Sequence, residues 1–261
     1  MGIRAIERAL DVLAELNQHP VSSIASLHAA TRLPKPTLVR ILKTLEEKGY
    51  VDNDPHLGGY LVTSQVTSLS GGYHSEPMVV EASRPWAIAM TRQHQWPISI
   101  ALLDQDAIVV RFSTIPDSAI SPFHMTVNMR LPILTRGLGL AFFAFSKEDE
   151  RELILQSLRQ SDDPEAVLSR DKDRLAAMIE QVREQGYATR SERAKPTNSN
   201  TIAVPIFAGD GRVVASMGLT YFRSAFPNMQ SAIDRYVPLL KQASREITTD
   251  IERLFKHSNF I

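Results

Sequence analysis

Apolar residues recur at helical spacing from the first residues onward. Ile6, Ala9, Leu10, Leu13 and Leu16 follow a 3.6-residue period and predict a helix over about 3–18 with one apolar face. Pro20 stops it. A short helix is expected over 23–31, with Ser22 or Ser23 capping its free amides and Ile24, Leu27 and Ala30 facing inward. Arg32-Leu33-Pro34 reads as a tight turn. A third helix follows over about 35–48. Pro36 sits in its first turn, where a missing N–H costs nothing, and Gly49 ends it. Residues 50–52 and 59–62 flank the turn-rich 53–58 and predict a β-hairpin, the wing of a winged helix-turn-helix.

The pattern changes after residue 63. Ser70-Gly71-Gly72-Tyr73 reads as the most flexible stretch, and Pro77 follows. The expected division is a first domain at 1–63, a linker at 64–77 in which a linker helix fits, and a larger second domain at 78–261. In that last part, 98–103 and 107–112 are apolar and β-branched and form a hairpin around Asp104-Gln105-Asp106. A second hairpin joins 201–207 to 213–221 around Gly209-Asp210-Gly211. One helix begins near Gly137. Another is expected to be capped by Ser146, with Asp149 as its capping-box partner. A third spans about 164–185 and ends at Gly186, and a long amphipathic one spans about 228–256. Tight strand pairs with intervening helices predict an α+β fold with an antiparallel sheet, not a parallel dinucleotide-binding one.

The 261 residues suffice for two domains. There is no cysteine, which excludes disulfides, thiolate catalysis and cysteine-ligated zinc. The start, Met1-Gly2-Ile3-Arg4, lacks a signal-type apolar core, and no apolar run approaches the roughly 20 residues a membrane span needs. A cytoplasmic protein with no membrane partner is expected. The 29 basic and 29 acidic residues cancel, so total charge does not point to nucleic acid. The distribution does: Arg32, Lys35, Arg40 and Lys43 fall in one stretch without an acidic residue.

That stretch contains the third helix. At about 100° per residue, Leu38, Ile41, Leu42 and Leu45 share one arc. Thr37, Arg40, Lys43, Thr44 and Glu47 lie opposite. The apolar side can pack on the first two helices while the other enters a major groove. Arg40 is the candidate for a bidentate guanine contact, and Lys35, Thr37 and Lys43 suit phosphates. Arg4, Ser23, Pro36 and Thr44 complete the candidate DNA-contacting set. The competing reading is a solvated face on a small helical bundle.

Residues 6–13, IERALDVL, and 33–51, LPKPTLVRILKTLEEKGYV, resemble the IclR family of bacterial regulators. The resemblance continues through 131–139 (LPILTRGLG), 186–188 (GYA) and 202–206 (IAVPI), so it covers nearly the whole chain. It implies a winged helix-turn-helix, a GAF-like effector domain, and dimers or tetramers on palindromic double-stranded operators. RNA polymerase is an implied partner if the protein activates. Trp96-Pro97 and 219–225 (LTYFRSA) are similar to a branch controlling catabolism of aromatic acids. A regulator of a non-aromatic, glyoxylate-like acid pathway is the alternative.

Gly137, opening a helix after Thr135-Arg136, offers unpaired amides to a small anion. The resemblance carries Gly137, Leu138 and Thr201 over as effector-pocket positions. Arg130 and Arg136 are candidates for a carboxylate clamp, with Arg111 and Arg190 behind them. Phe123, Leu131, Met217, Leu219 and Tyr221 are candidate apolar walls. The chain departs from the family's pattern at 195–200 (KPTNSN), on the polar side of that pocket. No cofactor or metal is expected. Nucleophile-elbow, Walker, dinucleotide and zinc-protease motifs are absent, and the seven histidines are scattered, which argues against an enzyme, including one on a GAF-like scaffold. A DNA binder without a ligand is the third class, and about 180 residues after the wing exceed what dimerisation alone needs.

Overall fold

The computed structural model describes residues 2–70, 77–160, 165–191 and 194–258. It divides into two compact units, 1–76 and 77–261.

The first unit holds α1 (Arg4–Leu16), α2 (Ile24–Thr31), α3 (Lys35–Glu47) and the antiparallel hairpin of β1 (Val51–Asp54) and β2 (Gly59–Val62). Ser23 caps α2 by accepting the Ser26 N–H. Gly49, at φ +78°, lets the chain turn out of α3 into the wing. Val12, Leu16, Leu27, Leu38, Leu42 and Val51 make the core. The inward face of α1 differs from expectation. Val12 and Leu16 are buried, whereas Ile6 and Leu10 are 54% and 60% exposed, and Ala30 of α2 is exposed too. So α1 has apolar residues on two sides, and one unit covers only one of them. A 3₁₀ helix spans Ser64–Ser70 where the linker helix was expected. Residues 71–73 of the flexible-looking stretch lie outside the described residues.

The second unit is a six-stranded antiparallel sheet in the order β5-β4-β3-β8-β7-β6. Its strands are β3 (Ile98–Asp104), β4 (Ala107–Ser113), β5 (Arg130–Pro132), β6 (Ala188–Thr189), β7 (Ser199–Phe207) and β8 (Val213–Phe222). The two predicted hairpins are present as β3–β4 and β7–β8. One face packs on α4 (Met78–His94) and α9 (Met229–Ser258), through Ile202, Val204, Met217, Leu219 and Tyr236 among others. The other packs on α5 (Gly137–Phe145) and α8 (Lys172–Gln185), with α6 (Glu148–Gln160) and α7 (Glu165–Leu168) around Phe143. An α+β antiparallel architecture is therefore observed.

Three local expectations need correcting. Helix α4 was not predicted. Pro77 precedes its first turn, and Pro85 sits inside a helix held by burial on the sheet. Ser146 does not open α6. It closes α5, its N–H donating to the Phe142 and Phe143 carbonyls, while Asp149 accepts from its neighbour Glu150. The helix expected over 164–185 is two. Asp171 caps α8 by accepting the Arg174 N–H, which separates it from α7.

Candidate nucleic-acid interface and ligand pocket

Helix α3 sorts its residues by chemistry. Leu38 and Leu42 are fully buried, and Ile41 and Leu45 are partly buried against them. Lys35, Pro36, Val39, Arg40, Lys43 and Thr44 are exposed, and Thr37 is half-buried. The Thr44 hydroxyl donates to the Arg40 carbonyl at 3.0 Å. Lys43 reaches Glu47 at 4.0 Å, an exposed pair of little weight. Among the described residues neither Lys35 nor Arg40 has an ion-pair partner, so both cations are available to an outside anion. Arg4 lies exposed at the start of α1. The Ser23 hydroxyl is engaged by its capping bond, which leaves its lone pairs partly spent. The pattern missed Val39. It is 46% exposed between Lys35 and Lys43, where a branched methyl can meet a thymine methyl.

In the second unit a cavity opens where α5 begins. The amide end of α5 carries no side-chain cap. Gly137 lets this end press on β6 and β7, since a Cβ there would lie 3.1 Å from the Thr201 carbonyl oxygen and 3.4 Å from the Arg190 nitrogen. Gly139 is tighter still: a Cβ would meet the Ile133 backbone at 2.5 Å. The free space is about 50 Å³, or three to five water-sized positions at roughly 10–15 Å³ each. Val110, Ile115, Phe123, Met129 and Leu131 form its apolar wall. Ser99, Thr126, Thr201 and Thr220 supply hydroxyls, and Arg136 and Arg190 supply the charge.

Both guanidiniums are short of partners. Arg136 donates Nη1 to the Lys195 carbonyl at 2.8 Å, but its buried Nε–H has no partner among the described residues. Arg190 is only 3% exposed; it donates Nη2 to the Ser199 carbonyl and hydroxyl, and its Nε–H is likewise unmet. The Thr126 hydroxyl is buried and has no partner among the described residues either. Among the described residues no acidic side chain lines the cavity. Burial, then repulsion from Arg136 and Arg223, pulls the Arg190 guanidinium down to about 10. Burial also lowers Arg136, partly offset by Glu165. A buried cationic pocket with unspent donors stabilises an anion that enters it. Its chemistry is that of binding. Among the described residues no three His, Asp or Glu side chains form a metal site.

The structure brings Phe123, Leu131, Arg136, Gly137, Leu138 and Thr201 together in this cavity. It does not bring Arg130, Met217, Leu219 or Tyr221 there. Arg130 turns to the β3–β4 turn and pairs with Asp104 at 3.0 Å and Asp106 at 3.2 Å. Arg111 also pairs with Asp104. Met217, Leu219 and Tyr221 are at alternate positions of β8 on the opposite face, in the core with α9. Thr220 is the β8 residue that faces the cavity, where its hydroxyl lies 3.0 Å from that of Thr201. Arg190 replaces Arg130 as the partner of Arg136. A buried strand offers no polarity contrast to reveal this parity. The hydroxyl of Thr220 opposite Thr201 was the usable signal.

Residues 5–55 match the IclR helix-turn-helix domain, and residues 72–249 match the C-terminal domain of bacterial IclR transcriptional regulators. The chain is similar to the regulator XynR of Escherichia coli (strain K12), 25% identical over 232 residues, 88% of this chain and 90% of that one. A transcriptional regulator from Rhodococcus sp. RHA1 shares the fold at TM-score 0.64 and 22% identity, covering 97% of this chain and all of that one. So does an IclR homolog from Microbacterium hydrocarbonoxydans, solved with 4-hydroxybenzoate, at TM-score 0.60 and 17% identity, covering 95% of this chain and 99% of that one. Among the described residues no helix is long and apolar enough to cross a membrane. With both of its domains matched in order, the chain belongs to the IclR family of DNA-binding transcriptional regulators, and it is not an enzyme.

Proposed function

We propose that this regulator acts in the cytoplasm and responds to a small organic acid held in the cavity at the start of α5. The observation that carries this reading is the pair Arg136 and Arg190, with unspent buried N–H groups and no acidic side chain among the described residues that line the cavity. The carboxylate sits against the open amides of α5 and the two guanidiniums, and the apolar body faces Phe123, Met129 and Leu131. The limited free space favours a compact acid. An aromatic acid is the second reading. The apolar wall and the likeness to a protein solved with 4-hydroxybenzoate support it, and it needs Phe123 or Met129 to move aside. Residues 1–63 form the DNA-binding domain, 64–77 the linker and 78–261 the effector and oligomerisation domain.

On DNA, the exposed side of α3 enters the major groove. Arg40 reads a base edge, and Lys35, Thr37 and Lys43 hold phosphates, flanked by Arg4, Ser23, Pro36 and Thr44. The uncovered Ile3, Ile6 and Leu10 side of α1 supports a homo-oligomer, which presents two such helices to a palindromic operator. RNA polymerase is a further partner if the protein activates. Calorimetry with short aliphatic and aromatic carboxylates tests the effector reading. Binding of an acid that weakens about tenfold or more in Arg136→Gln is expected. Binding untouched by that change, or none across the panel, overturns it.

A further inference from the structure

The first cavity uses one face of the β7–β8 ribbon, and the next cross-strand pair opens on the other. Thr201 opposes Thr220, and Asn200 opposes Tyr221. Successive strand residues face opposite sides, so the second pair backs onto the first. There a second cavity of about 300 Å³ lies between the ribbon's end and the start of α9, bounded by Tyr221, Arg223, Phe226, Asn228 and Met229. The two cavities share no lining residue.

This second cavity also holds donors without acceptors. Tyr221 is 1% exposed, yet its buried hydroxyl makes no hydrogen bond among the described residues. Asn200 stands opposite it on β7 and favours the ionised phenol, a smaller effect than burial. The Asn200 carboxamide has one other partner at each end: Oδ1 accepts the Thr201 N–H at 2.8 Å, and Nδ2 donates one N–H to Met229 Sδ at 3.3 Å. Burial raises the Tyr221 phenol above its ordinary value, so it keeps its proton and remains a donor. A buried donor left unmet is costly, and its presence points to an absent acceptor. Arg223 lies beside it. Its Nε donates to the Ser199 carbonyl at 3.3 Å, while its Nη2 is buried and unpartnered. Among the described residues no acidic side chain lines the cavity. Arg190 donates to the same Ser199 carbonyl, so the arginines of the two cavities meet on one oxygen.

We propose that this cavity is a second binding site, for a small carboxylate, separate from the pocket at the start of α5. One cationic donor and one neutral hydroxyl suit the two oxygens of a carboxylate. Phe226 and Met229 cover its apolar remainder. A phosphate dianion would leave oxygens and charge unmet by one guanidinium and one hydroxyl.

The test is calorimetry on the full chain with acetate, propionate, butyrate and inorganic phosphate. It compares the unaltered protein with Arg136→Gln, Tyr221→Phe and Arg223→Gln. Tyr221→Phe removes one oxygen and keeps the ring in its packing, so it preserves the fold. The expected result is a carboxylate-binding event, one per chain, that survives Arg136→Gln and weakens about tenfold or more in both Tyr221→Phe and Arg223→Gln. A residual event indifferent to Tyr221→Phe and Arg223→Gln overturns the proposal. So does loss of all binding in Arg136→Gln, or a preference for phosphate. Failure of the first pocket alone gives a different pattern: Arg136→Gln changes nothing while Tyr221→Phe and Arg223→Gln still matter.

Discussion

Helix α3 has one face against its own unit and one in solvent; strand β8 has both faces against its own unit. On α3 the buried leucines and the exposed cations divide by polarity, because water touches only one side. On β8 both sides are covered. Met217, Leu219 and Tyr221 pack toward α9, while Gly218 and Thr220 face α5, where a Cβ on Gly218 would lie 2.8 Å from Leu138. Candidate binding residues on a half-solvated helix differ in polarity from structural ones. On a doubly buried strand they differ only in parity, and small or hydroxyl-bearing side chains mark the face that leaves room for a ligand.

That contrast is open to direct attack. The largest effect is expected from Leu219→Ala, which removes a fully buried side chain from the α9 face. Urea unfolding should register a loss of about 2–5 kcal/mol in the second unit, while acid affinity of the folded protein stays the same. A stable variant with lost affinity would place Leu219 at the ligand. Next, Arg136→Gln should reduce affinity for the acid about tenfold or more, whereas Arg130→Gln, which breaks only half-exposed pairs with Asp104 and Asp106, should leave it unchanged. Equal losses would restore Arg130 to the pocket. A smaller change, of a few-fold, is expected from Thr220→Val, which exchanges one cavity hydroxyl for a methyl at nearly constant volume. The smallest effect concerns pH. The Arg190 guanidinium, lowered to about 10, loses its proton only as pH climbs through that value. Calorimetric affinity should therefore be flat between about pH 6 and about pH 8 and fall above about pH 10. A transition near neutrality would assign the anion to a histidine instead.

The same contrast explains what the sequence could convey. The winged unit was readable because each of its signals is local. Ser23 caps, Gly49 turns, and the leucines of α3 repeat at one spacing. The two hairpins of the second unit were readable from their turns, at Gln105 and Gly211, both with positive φ. Helix α4 was not, because Pro85 interrupts a segment that lacks a clear amphipathic stripe. Pro238 in α9 did no such harm, since Ile233, Val237 and Leu240 carry the pattern across it. In the cavity, Arg136 and Gly137 were readable as a helix start with a charge before it. Arg190 was readable only as a weaker candidate behind Arg130, and Thr220 was not, because the register of β6, β7 and β8 brings them beside Arg136. The exposed Ile6 and Leu10 misled for a related reason: an apolar stripe does not say whether its own unit or another copy covers it.

The central claim is that the exposed side of α3 reads DNA, and Arg40 tests it most directly. Titration of duplex DNA from upstream of the genes this protein controls, with the unaltered protein and Arg40→Ala, should show a loss of about 1–3 kcal/mol on the preferred site and relaxed preference at one base pair. Unchanged affinity and unchanged preference in Arg40→Ala, with the protein folded, would contradict the account.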